Sequence, residues 1–267
     1  MFSVPAKISR PVLSNILPRT RLFSGLDKAA KRLIVWIAAP PGSGKTTLIA
    51  SYLEFHKLPH IWYHLDEGDR DIATFFHYLA LAANNAGLRR GPPLPHFTPE
   101  FILGVAAFSR RFFEILYGGF TAPTAIVFDN FDEVPAEPAF QEVFRAALNA
   151  VPRDVTVFVL SRHAPPESMA RLRGANRMAL LGWPDLRLTL DETEAIITHI
   201  NRPGPSVGGH RRIHERAQGW AAGSHGFDAT HSTLIIASWV VSLAWMVWLV
   251  AVTRWTPRHQ TVAALAD

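Results

Sequence analysis

Short apolar runs alternate along the chain with segments in which apolar residues recur every three or four positions. In one such segment, Ile72, Phe75, Phe76, Leu79 and Ala83 share a helical face. Predicted helices cover about residues 20–31, 47–53, 71–83, 101–117, 139–150, 191–200 and 211–222. Continuous apolar runs, typical of strands buried on both faces, occupy residues 33–38, 60–65, 124–129, 155–161 and 177–181. The alternation of strands and helices predicts an α/β fold with a mostly parallel sheet.

A glycine-rich segment joins the first predicted strand to a helix. Residues 39–46 read Ala-Pro-Pro-Gly-Ser-Gly-Lys-Thr, the P-loop pattern, with Ala39 in place of the usual first glycine. Glycines let backbone N–H groups converge on a phosphate at a helix N-terminus. Lys45 would reach the β- and γ-phosphates, and Thr46 would bind Mg²⁺. The predicted nucleotide contacts in this segment are Pro40, Pro41, Gly42, Ser43, Gly44, Lys45, Thr46 and Thr47.

A carboxylate at the end of the third strand is the expected partner of the P-loop. Four apolar residues precede Asp129, which is the Walker B pattern, and the strand would end at the carboxyl edge of the sheet beside the P-loop. A Walker B carboxylate holds Mg²⁺, usually through water. The predicted metal-binding residues are therefore Thr46 and Asp129.

Hydrolysis also needs a group that orients or deprotonates the attacking water. The candidates just beyond Asp129 are Asn130, Asp132 and Glu133, of which we choose Glu133. Arg162 directly follows the fourth strand, where a guanidinium could contact the γ-phosphate and report its presence. The predicted catalytic set is Lys45, Asp129, Glu133 and Arg162.

Composition narrows the function classes. Hydrophobic residues make up 48% of the 267 positions and charged residues 18%, as expected of a globular chain with an ample core. The absence of cysteine excludes disulfides, thiolate metal sites and a cysteine nucleophile. A net charge of +5 does not by itself indicate nucleic-acid binding. We read no metal-protease, serine-hydrolase or helix-turn-helix pattern, and thus expect no DNA-binding element in this chain.

The last part of the chain differs in character. Residues 234–252 are nineteen positions without a charge. As a helix this stretch would measure about 28 Å, close to the thickness of a hydrocarbon core. Its tryptophans lie inside the run rather than at its ends, which is untypical of a membrane anchor. Three interpretations stay open: a membrane anchor, an apolar helix that is buried or docks on a partner, and a non-native tail.

Several stretches resemble one family. They are residues 16–22 (Ile-Leu-Pro-Arg-Thr-Arg-Leu), the P-loop, residues 62–69 (Trp-Tyr-His-Leu-Asp-Glu-Gly-Asp), Asp129 with Asn130, residues 160–162 (Leu-Ser-Arg) and residues 218–223 (Gln-Gly-Trp-Ala-Ala-Gly). Together they are similar to the nucleotide-binding domain of the maltose-regulator-like signal-transduction ATPases, which include LuxR-type transcriptional regulators. The resemblance covers about residues 7–223 and rests most on the Trp-Tyr-x-Leu-Asp-Glu and Gly-Trp-x-x-Gly stretches.

The resemblance implies a P-loop NTPase three-layer sandwich with a five-stranded parallel sheet in the order 2-3-4-1-5. It also implies an ATP/ADP switch with Mg²⁺, in which ATP permits self-association, and it places Arg19 near the adenine. We divide the chain into a nucleotide-binding domain (1–185), a helical extension (186–223) and an apolar tail (224–267), with an apolar C-terminal helix. The sensor and DNA reader of such regulators would then be absent from this sequence.

We therefore expect a cytoplasmic P-loop ATPase domain that binds Mg·ATP and hydrolyses it slowly as a regulatory switch. One rival is a signalling ATPase tethered to a membrane through residues 234–252. The other is a truncated module that binds nucleotide without turnover.

Overall fold

The sheet has five parallel strands. The computed structural model describes residues 5–13, 16–134, 137–199 and 207–221. The strands are β1 (Ile34–Ala38), β2 (His60–His64), β3 (Thr124–Asp129), β4 (Val155–Ser161) and β5 (Met178–Gly182). Their order in the sheet is β2-β3-β4-β1-β5, and every pairing is parallel. The predicted strand order is confirmed.

Helices cover both faces of this sheet. The α-helices are α1 (Thr20–Ala30), α2 (Lys45–Phe55), α3 (Ile72–Asn85), α4 (Val105–Gly118), α5 (Pro138–Asn149), α6 (Ala170–Gly174), α7 (Trp183–Leu186), α8 (Leu190–His199) and α9 (Val207–Ala217). The predicted helix at 101–117 begins as a 3-10 turn, Pro99–Gly104, before α4. The first turn of α3 is capped by the Asp71 carboxylate, which accepts N–H groups of Ala73 and Thr74.

Alternate strand residues belong to two separate cores, and this alternation produces the three layers. Trp36 and Phe128 pack in the core shared with α3, α4 and α5, where Trp36 meets Phe131 and Phe128 meets Phe144 edge to face. Val35 and Val127 face the other core, with α1 and α2. The predicted three-layer α/β sandwich is therefore correct.

The segment after β5 folds back on itself. The N–H of Leu188 donates to the carbonyl of Gly219 at 2.9 Å, and the hydroxyl of Thr193 lies 2.9 Å from Nδ1 of His214, which links α8 to α9. The predicted domain division at residue 185 stays a prediction. The predicted apolar tail, 224–267, lies outside the described residues. Among the residues that are described, no helix is long and apolar enough to cross a membrane.

Candidate functional site

The P-loop connects β1 to α2 and has the backbone that an anion cradle needs. Gly42 and Gly44 have positive φ angles of 71° and 83°, a conformation in which a residue with a side chain would be strained. Gly44 is also the N-cap of α2. The hydroxyl of Ser43 is buried and has no hydrogen-bond partner among the described residues. A loop with such a backbone and an unsatisfied buried hydroxyl fits a ligand rich in acceptor oxygens.

Lys45, the first residue of α2, is folded over this loop. Its Nζ donates to the carbonyl oxygens of Ala39 at 2.6 Å and Pro40 at 3.0 Å. Burial lowers the pKa of Lys45, while the charges of Asp132 and Asp129 oppose that shift. Because its bonds go to neutral carbonyls, the ammonium can exchange them for phosphate oxygens and gain a charged partner.

The two predicted metal-binding residues lie together. The Thr46 hydroxyl donates to Oδ1 of Asp129 at 3.2 Å, across 83 residues of sequence. Asp129 is the last residue of β3 and is only 1% exposed. Burial raises the pKa of Asp129, whereas His64, the Thr46 hydroxyl, the N–H of Asn130 and Lys45 favour its charged form. A hydroxyl beside a carboxylate offers the hard oxygen ligands that suit Mg²⁺.

Arg162 is tied to the two acids that follow Asp129. Its N–H donates to Asp132 Oδ1 at 2.7 Å, its Nε lies 2.8 Å from Asp132 Oδ2, and its Nη2 bonds Glu133 Oε1. The predicted water-activating acid and the predicted γ-phosphate sensor are thus paired with each other. A left-handed backbone at Asn130, with φ 61°, turns the chain so that both acids reach the end of β4.

Arg19 lies against the segment that follows β5. Its Nη2 donates to the carbonyls of Leu186 at 2.6 Å and Arg187 at 3.2 Å, and it lies 3.5 Å from Glu192. Burial lowers the pKa of Arg19, and Glu192 opposes that shift. Its Nε and Nη1 are buried without a partner among the described residues. Arg19 is therefore held at the extension, and the predicted contact with adenine stays a prediction.

Two residues of the site did not emerge from the sequence as functional candidates. Trp220 donates its indole N–H to the carbonyl of Pro41 at 2.8 Å, so the extension touches the P-loop itself. His64 lies opposite Asp129 in the sheet. Both strands end in a polar residue, His64 in β2 and Asp129 in β3. Once the strand order is known, the adjacency of these two strand ends is the signal that identifies His64 as a neighbour of Asp129.

Comparisons with known proteins agree with this picture. No family model matches the chain. It is 29% identical over 221 residues to the HTH-type transcriptional regulator MalT of Yersinia pestis, a match that covers 81% of this chain and 24% of that protein. MalT of Cronobacter sakazakii is also 29% identical, over 222 residues.

The chain is similar to the MalT regulators. The resemblance that we drew from the sequence is therefore confirmed, and this chain spans about a quarter of the length of the curated MalT relatives it matches. Among solved structures, Aeropyrum pernix ORC1 in complex with DNA matches with a TM-score of 0.49 and 17% identity, over 79% of this chain and 58% of that one. A point mutant of RuvB from Thermotoga maritima matches with a TM-score of 0.44 and 14% identity, over 78% of this chain and 60% of that one.

Proposed function

We propose that this chain is a nucleotide-dependent regulatory switch that binds ATP and ADP with Mg²⁺ at the P-loop and hydrolyses ATP slowly. The observation that carries the proposal is the contact between Thr46 and Asp129. The P-loop helix and the Walker B strand are far apart in sequence, yet they bring a hydroxyl and a carboxylate within 3.2 Å. A nucleotide-bound metal needs these two groups together.

Each group of residues at the site would have a distinct role in binding Mg·ATP. The backbone N–H groups of residues 42–47 would donate hydrogen bonds to the phosphate oxygens. Lys45 would exchange its bonds to the loop carbonyls for bonds to the β- and γ-phosphate oxygens. Thr46 and Asp129 would hold Mg²⁺, which supplies charge neutralisation at the phosphates when it is bound. Nε and Nη1 of Arg19, which have no partner in the part of the chain that the structure describes, could donate to an acceptor on the nucleotide.

The pairing of Arg162 with Glu133 bears on turnover. A carboxylate bonded to a guanidinium is a poor base, since the charge that would accept a proton is already stabilised. Hydrolysis would therefore require Arg162 to leave Glu133, for which the γ-phosphate is the natural alternative partner. This gives a slow reaction that depends on the phosphate being present, as a switch requires. The same pair favours a second candidate function, a module that holds nucleotide without turnover.

A single-turnover assay decides between the two candidates. We expect the wild type to release phosphate from pre-bound ATP, and Glu133→Gln to do so at least about a hundredfold more slowly, the lower range for a lost general base. Glu114→Gln, which changes an exposed glutamate on α4, is the control and should match the wild type. Equal, background phosphate release from wild type and Glu133→Gln would contradict turnover and leave the non-hydrolysing module.

Switching itself predicts a change in assembly. By similarity to the MalT-like regulators, ADP would hold a closed form and ATP would permit self-association. The contact of Trp220 with Pro41 supports this proposal, because a nucleotide at the P-loop can act on the extension through it. Sedimentation velocity with ADP and with a non-hydrolysable ATP analogue should give a larger species only with the analogue. Identical sedimentation in both nucleotides would contradict the switch.

A further inference from the structure

His64 occupies a position from which it can control the metal-binding carboxylate. It is the last residue of β2, and its backbone is in register with Asp129, the last residue of β3. Neighbouring parallel strands in register direct paired side chains to the same face. That face is the one covered by α2, because Trp62 and Val127, two residues earlier in each strand, pack in the core with α2.

The two oxygens of Asp129 have different partners. Oδ1 accepts the Thr46 hydroxyl at 3.2 Å and the N–H of Asn130 at 3.0 Å. Oδ2 faces Nδ1 of His64 at 3.5 Å. The terminal torsion of an aspartate is broad, so the carboxylate turns easily unless both oxygens are held. Held on both sides, it keeps Oδ1 directed at Thr46.

The imidazole of His64 is itself held in place. Its Nε2 lies 3.2 Å from the carbonyl oxygen of Ser9. Ser9 belongs to an N-terminal segment that is anchored nearby. Lys7 lies 2.8 Å from Asp69 Oδ2, and Asp69 is fully buried. The ring therefore lies between the carbonyl oxygen of Ser9 and the carboxylate of Asp129, with Nδ1 on the side of the carboxylate.

We propose that His64 is a positioning residue for the Asp129 carboxylate, holding Oδ2 so that Oδ1 stays turned to Thr46 and the metal. The proposal rests on the proposed function, because it concerns binding of Mg·ATP. Groups that orient a metal-binding carboxylate typically change metal affinity by about 10- to 100-fold when they are removed. His64 touches neither nucleotide nor reacting atoms in this assignment and acts through Asp129 alone.

The test measures binding rather than turnover. The dissociation constant for ATP is measured by calorimetry in EDTA and again in saturating Mg²⁺, and the ratio of the two constants is the Mg²⁺ enhancement. We expect His64→Ala to leave the constant in EDTA unchanged and to reduce the enhancement about tenfold. His60→Ala is the matched control, since it removes an imidazole from the other end of β2, and it should keep the wild-type enhancement.

Two conservative variants separate positioning from a merely structural role. The amide nitrogen of asparagine lies about where Nδ1 of histidine lies, whereas that of glutamine lies about where Nε2 lies. His64→Asn should therefore recover most of the Mg²⁺ enhancement, and His64→Gln should not. This comparison also decides the matter if His64→Ala does not fold.

The outcomes distinguish this proposal from the proposed function. A wild-type protein with a clear Mg²⁺ enhancement that His64→Ala retains within about twofold would overturn the role of His64 alone. An equal loss of affinity with and without Mg²⁺ would show a structural role and would also overturn it. A wild type that does not bind ATP in either condition would remove the proposed function and this inference together.

Discussion

The indole N–H of Trp220 bonds the carbonyl oxygen of Pro41, which lies 179 residues earlier in the P-loop. One residue before it, Gly219 accepts the N–H of Leu188 at 2.9 Å, so the end of the extension is tied both to its own start and to the loop. The P-loop and the helical extension are thus linked by a specific contact.

Gly219 should not tolerate a side chain. Its φ is +74°, and an added Cβ would lie 2.9 Å from the carbonyl oxygen of Leu188, a backbone atom that cannot turn away. Strain and overlap together predict that Gly219→Ala lowers the free energy of unfolding by about 2 kcal/mol or more. Urea denaturation measures this.

Gly25 provides the control for that substitution. It lies inside α1, is exposed, and has no described atom within 4 Å of an added Cβ. Gly25→Ala should therefore raise the free energy of unfolding by about 0.5–1 kcal/mol, because alanine restricts the unfolded chain and favours the helix. Equal stability of the two alanine variants would contradict the tight approach of Gly219 to Leu188.

Glu192 should make stability depend on pH in the acid range. Burial alone would raise its pKa, but hydrogen bonds from Arg21 and the N–H of Thr189, with the charge of Arg19, outweigh burial and lower the pKa below 4.5. A lowered folded-state pKa gives stability that is present above pH 4.5 and is lost as pH falls through the folded value. Glu192→Gln should therefore be less stable than the wild type near pH 7, by about 1 kcal/mol or less at this partly solvated site.

Measuring the unfolding free energy of both proteins from pH 7 to pH 3 checks this. The difference between them should shrink below pH 4.5, and it should already be smaller at pH 7 when both carry Arg21→Ala, which removes one of the partners. Curves that stay parallel over the whole range would contradict the assignment.

The buried charge of Asp129 should lower the stability of the protein without ligand. Its pKa is raised by burial, so the folded protein binds the proton more tightly than the unfolded chain, and ionisation of Asp129 as pH rises above the unfolded value lowers the stability of the nucleotide-free protein. Asp129→Asn keeps an oxygen for Thr46 and for the N–H of Asn130. We therefore expect it to be as stable as the wild type without ligand, or more stable by about 1 kcal/mol.

With Mg·ATP bound, the wild type should become more stable than Asp129→Asn. A ligand at a hundredfold excess over its Kd stabilises a protein by about 2.7 kcal/mol, and Asp129→Asn should lose most of that gain. Thermal melts with and without Mg·ATP measure both effects. Asp132→Asn is the contrast, since Asp132 pairs with Arg162 and its loss should lower stability without ligand. An Asp129→Asn protein that melts earlier without ligand yet keeps the full Mg·ATP shift would contradict this account.

Most of the fold was predictable because its signals are local. Continuous apolar runs gave β3 and β4 with the bounds that the structure has, 124–129 and 155–161. The P-loop pattern predicted the turn at 39–44 and the helix that follows. The order of the strands came from the family resemblance, since apolar runs alone do not say which strands are neighbours.

The pairings within the site were harder to predict because they depend on that order. Arg162 meets Glu133 only because β4 lies beside β3, and His64 meets Asp129 only because β2 lies on the other side. Side chains at the ends of adjacent strands compete for the same few partners. Which of them bond each other, rather than a ligand, is decided by distances that spacing in the sequence does not contain.

The central claim is that the P-loop of this chain binds nucleotide phosphates through Lys45. Its most direct test is calorimetric titration of ATP and ADP into the wild type, Lys45→Ala and the control Lys28→Ala, which changes an exposed lysine of α1. We predict that wild type and Lys28→Ala bind both nucleotides alike, and that Lys45→Ala binds about a hundredfold or more weakly, since its charged bonds to two phosphates are lost. An unchanged Kd in Lys45→Ala would contradict the account.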